Sequence, residues 1–404
     1  MAPTPNLNIP PSPATVSVSI INSTGTLHGV PAKSFVAPPQ PGHDWLAVPM
    51  FAFLIQHPST GRSLMFDLGM RKDIQNMPPA LLRHFREIGW TLSADILQEN
   101  HFDVSKIEAV VWSHYHFDHT GDITTMGPQA ALIVGPGFKK GLLPGYPANP
   151  DAPILEADYK DRELIEVDFT SAAQSDGKDW KRLTIGRFPA IDYFGDGSFY
   201  LLDAPGHAIG HMCGLARVTS SQQNDGYGYD SFVCLGGDAV HHVGEIRPSQ
   251  FKPLPEEEIS PNPFLPLSSA TNTCEESKCP GAALQKLLPK PELPTRSFYE
   301  AARGEAWHHD VEQTMDTAGK LQEPDALDNV FVAIAHDESL LDVVDFYPHG
   351  TMNEFVKKGW VQKGHWRFLR DFRDGLTSKE DKGGVETVEW PHNRTWGRVE
   401  KKAA

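Results

Sequence analysis

Cysteine is scarce in this chain, with four in 404 residues. Cys213 and Cys234 sit in apolar, strand-like contexts and read as buried thiols, whereas Cys274 and Cys279 close a polar loop that allows a disulfide or nothing. Four cysteines spread over so long a chain exclude a disulfide scaffold. Long apolar runs are missing too: no stretch nears the ~20 residues that a spanning helix needs. The opening residues, MAPTPNLNIPPSPATVSVSI, have no basic start leading into an apolar core. A secretory signal is therefore not expected, and the expected location is the cytosol. Without a signal, the acceptor triplets Asn22-Ser23-Thr24 and Asn393-Arg394-Thr395 carry little meaning. Basic charge is in deficit, since 36 Lys plus Arg against 52 Asp plus Glu give a formal net charge of −16. Nucleic acid and anionic membrane both need basic surface, so neither is expected as a partner. Small neutral or cationic molecules stay open.

What the chain has in excess is histidine, 18 in all. The densest stretch is SHYHFDHTGD, Ser113 to Asp122, with His114, His116, Asp118, His119 and Asp122 inside ten residues. IEAVVW, just before it, reads as a buried strand. Neutral imidazoles and carboxylates are the usual donors for zinc and its neighbours. Taken alone, this loop could be rich in histidine by accident. Three later stretches count against that, because each again runs a strand into a donor. Ser198 to Asp203 leads through APGH to His207, with His211 four residues on; SFVCLGG delivers Asp238; and Val330 to Ala335 delivers His336. FGDG, before the first of these strands, reads as a hairpin turn, since Asp-Gly takes the backbone angles such turns need.

Seven donors exceed what one tetrahedral ion needs, and they divide into two sets. His114 and His116 alternate along extended chain, so both can point to one ion. Asp118 and His119 are offset toward a second ion, and a carboxylate such as Asp238 can bridge the pair. Two divalent ions roughly 3.5–4 Å apart can share a hydroxide acidified to act near neutral pH, while one of them polarises the carbonyl under attack.

HYHFDH, PGHAIGH, GGDAVHH and the late AHDE resemble the metallo-β-lactamase-fold hydrolases, whose signature is HxHxDH followed by His, Asp and His. The resemblance runs from about Ala47 to Val344. It implies an α/β protein, a four-layer αββα sandwich with a dinuclear site at one edge between the sheets. Carried over by position, His114, His116 and His207 hold one metal, Asp118, His119 and His336 the other, and Asp238 bridges. The cofactors implied are two divalent metal ions, with zinc the first choice. Within that superfamily, FGDGS and GDAV are similar to the N-acyl homoserine lactone lactonases. Some of these carry a tyrosine three residues after the bridging aspartate. Here that position is His241, which can also donate a hydrogen bond to an oxyanion. The expected activity is opening of a small-molecule lactone or lactam, with Asp118 or a metal-bound water relaying the proton and His241 assisting. A thioesterase of the same fold is the alternative, because the same nucleophile attacks any activated carbonyl.

The expected organisation is a flexible Pro-rich arm over residues 1–14, a catalytic domain over 15–350, and a C-terminal extension over 351–404 packed on that domain. Within the domain, a long Pro-dense insertion over about 244–296 reads as an excursion across the surface. Periodicity predicts an amphipathic helix within Pro79 to Glu99, interrupted near Gly89 and Trp90, and helical segments around Ser297 to Ala306 and His308 to Leu321. Asp67, closing the strand of SLMFDLG, reads equally as a turn former or as a group that orients a ligand. Asp122 carries the same two readings. His211 and His242 read mainly as packed imidazoles. A homodimer is allowed by this reading and not required.

Overall fold

The computed structural model describes residues 2–28, 30–88, 91–94, 103–170, 176–223, 227–267, 279, 281–304 and 307–376. Fifteen strands are assigned along the described chain: β1 (Ser17–His28), β2 (Val36–Ala37), β3 (Pro49–His57), β4 (Arg62–Phe66), β5 (Thr91–Ala94), β6 (Ile107–Val111), β7 (Ala131–Val134), β8 (Leu164–Glu166), β9 (Lys181–Ile185), β10 (Phe188–Asp192), β11 (Phe199–Asp203), β12 (Met212–Thr219), β13 (Ser231–Leu235), β14 (Glu300–Ala301) and β15 (Val330–Ala333). The α-helices are mostly short: α1 (Pro79–Ile88), α2 (Phe117–Thr120), α3 (Phe138–Leu142), α4 (Gly281–Gln285), α5 (Val311–Asp325), α6 (Leu340–Val343), α7 (Phe355–Lys358) and α8 (Trp360–Gly364).

Period-two alternation decides how the strands stack. Along β3, Phe51, Phe53 and Ile55 enter one core while Ala52 and Leu54 enter another. Along β13, Val233 and Leu235 join the first core, and Phe232 and Cys234 face away from it. Strands buried on both faces must be covered on both faces. A seven-stranded sheet, β5-β1-β3-β4-β6-β7-β8, and a six-stranded sheet, β15-β13-β12-β11-β10-β9, therefore share one central core. The outer face of the first packs with α3 through Phe138 and Leu142, and that of the second with α5 through Ala318 and Leu321. This is the αββα sandwich expected from the sequence.

Several local expectations change. The helix foreseen within Pro79 to Glu99 ends at Ile88, and Thr91–Ala94 is strand β5, paired antiparallel with β1. Residues 95–99 lie outside the described chain. The helix foreseen near Ser297 to Ala306 is replaced by β14, which pairs with β2, whereas α5 occupies much of the segment foreseen after it. The N-terminal arm is not loose. The Leu7 carbonyl accepts from Gly186 at 2.7 Å, the Pro10 carbonyl from Arg217 at 2.6 Å, and the Ser12 carbonyl from Ser220 at 2.7 Å. Leu7 itself is buried in the core outside the second sheet. The insertion is no mere surface excursion either, since Leu254, Ile259, Phe264, Cys279, Leu284 and Leu288 are buried in that same core. Proline limits regular structure there, the described residues holding the short helix α4, but leaves single side chains free to bury. Cys274 lies outside the described residues. The C-terminal segment, as far as residue 376, packs across both sheets' cores through Phe355, Trp360, Phe368 and Phe372. No helix among the described residues is long and apolar enough to cross a membrane.

Candidate metal centre

The chemistry gathers where four strands of the two sheets end. Just beyond β6 the chain bends through residues 113–116, bringing the rings of His114 and His116 within 4.4 Å of each other while Tyr115 packs against the outer core of the first sheet. The single turn α2 then presents Asp118 and His119. From the second sheet, His207 follows β11, Asp238 follows β13 and His336 follows β15. Gly237 makes the turn into Asp238 at a positive φ of 52°, and a Cβ there would meet His211 Nε2 at 2.8 Å and Ser113 Cβ at 3.0 Å. Only glycine fits.

Two groups result, each with its donor atoms within 4.8 Å of one another: His114, His116, His207 and Asp238, and Asp118, His119, His336 and Asp238. Asp238 belongs to both. Its Oδ2 lies 3.6 Å from His207 Nε2 and 3.9 Å from His114 Nε2. Its Oδ1 lies 3.0 Å from His119 Nε2, and both of its oxygens lie 3.2 Å from His336 Nε2. His207 Nε2 is 2.9 Å from His116 Nδ1 and 3.2 Å from His114 Nε2, and Asp118 Oδ2 is 3.3 Å from His336 Nε2. All seven side chains singled out from the sequence therefore meet in one place.

A second layer fixes these rings. Asp67, at φ 58°, accepts from Ser113 N at 2.6 Å, from Ser113 Oγ at 2.7 Å and from His119 Nδ1 at 2.8 Å. It orients His119, the second of its two sequence readings. His336 Nδ1 donates to the Pro49 carbonyl at 2.7 Å. His211 donates from Nδ1 to Ala204 O at 2.9 Å and accepts at Nε2 from Asp238 N at 3.0 Å, so it is a brace for the Asp238 turn with no nitrogen left to bind. His242 turns away, accepting from Gly244 N and lying 3.3 Å from Asp371. Asp122 accepts from Thr124 N and Oγ1, capping a turn rather than orienting a histidine.

Electrostatics divides the site. Burial, reinforced by neighbouring imidazoles, holds His114 and His207 well below the ordinary histidine range, and burial brings His116 to about 4. These rings are neutral and offer lone pairs. Burial would lower His119 and His336 as well, but Asp238 and Asp118 outweigh it, raising His119 strongly and His336 to about 10. That half of the site demands positive charge.

His241, expected to assist catalysis, borders the first group, with Nε2 3.6 Å from Asp238 Oδ2 and its ring 4.7 Å from that of His207. The sequence reading missed His308, whose ring lies 5.3 Å from His241 and 5.7 Å from His207. It precedes a helix rather than following a strand. The only hint was the dipeptide His308-His309 beside Asp310, the residue that caps α5. Also missed was Glu245, whose Oε1 accepts from the backbone of His241 at 2.7 Å and of His242 at 3.1 Å. Burial raises this carboxyl to about 8.

Comparison with known proteins bears on the whole chain. Residues 47–127 match the model of the metallo-β-lactamase superfamily. A gamma-lactamase of Fusarium pseudograminearum is 41% identical over 400 residues, covering 96% of this chain and 90% of that one. The chain belongs to the metallo-β-lactamase superfamily. It is an enzyme, a hydrolase of that superfamily, whose fold binds divalent metal. A metallo-hydrolase of Annulohypoxylon moriforme is 38% identical over 392 residues, covering 95% of this chain and 94% of that one. Among solved structures, a quorum-quenching N-acyl homoserine lactone hydrolase matches 84% of this chain and 99% of its own at 13% identity and a TM-score of 0.48.

The metallo-β-lactamase assignment agrees with the state of the donor atoms. His119 Nδ1 is engaged by Asp67, so a neutral His119 directs a bare Nε2 lone pair at Asp238 Oδ1, 3.0 Å away. Both atoms are buried with no hydrogen-bond partner. Two buried lone pairs facing one another require a proton or a cation between them, and the set of imidazoles and carboxylates suits a divalent metal.

Proposed function

We propose that this enzyme is a dinuclear hydrolase that opens a cyclic ester or amide, with zinc as its metal. The observation that carries the reading is the position of Asp238, the one side chain that belongs to both donor sets, with Oδ1 3.0 Å from His119 Nε2 and Oδ2 3.6 Å from His207 Nε2. In this reading His114, His116 and His207 hold one ion, Asp118, His119 and His336 the other, and Asp238 serves both. Divalent ions held there supply an acidified water and a Lewis acid for the carbonyl. Hydrolysis adds the water's oxygen to the ring carbonyl carbon, breaks the ring C–O or C–N bond and leaves the proton on the departing heteroatom. Asp118 takes up that proton and returns it. His241 lies beside the first donor set, where an imidazole N–H can donate to the oxygen that gains charge. The curated relatives named as gamma-lactamase and metallo-hydrolase support the reaction class.

The test is turnover of zinc-loaded protein on a panel of lactones, lactams and thioesters, with bound metal counted by elemental analysis. The expected result is hydrolysis of cyclic substrates at about two ions per chain. Asp118→Ala and His119→Ala should each abolish turnover. Full activity in either variant, or hydrolysis of thioesters alone, would overturn the reading.

A further inference from the structure

His308 is a histidine with one ring nitrogen satisfied and one left over. Nε2 lies 3.4 Å from the carbonyl oxygen of Phe35, so the neutral ring carries its proton there and donates it. The opposite tautomer would set a lone pair against a carbonyl oxygen. With that choice made, Nδ1 is a bare acceptor, and it is buried without a partner. The residue is only 9% exposed. One ring nitrogen from each of His207, His241 and His308 comes within 4.8 Å of the others, so His308 borders the first donor set directly. Phe35 and Trp307 complete that flank, Phe35 lying 4.5 Å from His241 and 5.2 Å from Trp307 between ring centres.

A buried acceptor left unpaired costs about 1–3 kcal/mol, and a site that keeps one is complete only when something donates to it. A lactone and a lactam differ at just this point. The atom bonded to the carbonyl carbon is an acceptor oxygen in the ester and, in a secondary amide, an N–H donor. It sits one bond from the reacting carbon, hence beside whatever lines the donor set.

We propose that His308 is the specificity-determining residue of the site, its Nδ1 accepting the ring N–H of a lactam and so favouring cyclic secondary amides over cyclic esters. The inference rests on the reading of the site as a cyclic ester or amide hydrolase. It goes further in naming the preferred class and the atom that selects it. A site built to pair a substrate N–H discriminates strongly against the analogue that lacks it, because its own polar group is then left unpaired.

The experiment compares a γ-lactam with the γ-lactone of the same ring and substituents, on zinc-loaded wild type, His308→Phe and His308→Asn. Asparagine keeps a carbonyl oxygen close to the place of Nδ1, and phenylalanine keeps the ring without the acceptor. Wild type should prefer the lactam in kcat/KM. His308→Phe should lose roughly ten- to a hundredfold on the lactam with the lactone unchanged, and His308→Asn should recover part of the loss. Calorimetric binding of the lactam to metal-free wild type and His308→Phe should show the same difference without turnover. If His308→Phe lowers both substrates alike, or binds less zinc than wild type, His308 acts as packing or as a ligand and the inference falls alone. If wild type opens neither ring, the hydrolase reading falls and takes the inference with it.

Discussion

Asp67 shows how a single residue can govern a site it does not enter. It is buried and bound to Ser113 N, Ser113 Oγ and His119 Nδ1, which fixes both the ring plane and the tautomer of His119. Its backbone is in the left-handed region, which asparagine also tolerates. Asp67→Asn therefore removes the charge while keeping size and backbone. Loss of such an outer partner costs metal affinity by about 10- to 100-fold. Competition of the variant with a chromophoric chelator should show that loss, while its circular dichroism matches wild type. Unchanged affinity would mean that His119 is held by packing alone. From sequence, Asp67 stayed ambiguous because a strand-ending aspartate before glycine suits a turn equally well. Only the position of His119 across the sheet end resolves it. The inner residues were legible for the opposite reason: each follows, within one short loop or turn, an apolar run that reads as a strand. His308 follows no strand, and nothing local marked it.

At the scale of elements, sequence was read well where a strand is a continuous apolar run and poorly where pairing is remote. The hairpin β3–β4 and the strands β6, β11, β13 and β15 carried their own pattern. Strand β5 did not, because its partner β1 lies more than sixty residues earlier (Gly25 opposite Ala94) and its preceding helix shares its apolar content. The Pro-rich arm was misjudged on composition. Its Pro10 carbonyl serves Arg217, a fully buried guanidinium that also bonds Gly197 O and Asp230. Deleting residues 1–12 should remove the burial of Leu7 and leave Arg217 short of an acceptor. The expected cost is about 2–4 kcal/mol. It should appear as a lower urea midpoint of the metal-loaded protein, with bound zinc unchanged. An unaltered midpoint would show that the arm's contacts contribute nothing net.

The whole molecule places its most expensive charges at the junction of the two sheets, and this couples metal to stability. Without metal, His119 and His336 are held protonated by Asp238, Asp118 and Asp67, against the burial that opposes them. The sign follows from the folded and unfolded values. His336 rises from an ordinary 6.5 to about 10 on folding, so below pH 6.5 its contribution to stability is fully present. Between pH 6.5 and about 10 the native state binds the extra proton, and stability declines as pH rises through that window. A bound cation replaces those protons, because imidazoles must be neutral to coordinate. Metal-free protein should therefore melt at progressively lower temperature from pH 6.5 toward 10, and zinc-loaded protein should show little such trend. At pH 8, zinc loading should release at least two protons, one each from His119 and His336 besides any lost by the acidified water, read from the buffer dependence of the calorimetric heat. His114, His116 and His207, already neutral through burial, should add none. Binding without proton release would mean that the two carboxylate-facing imidazoles are neutral in the metal-free protein, and that the lone pairs at Asp238 are kept apart by some means other than a proton.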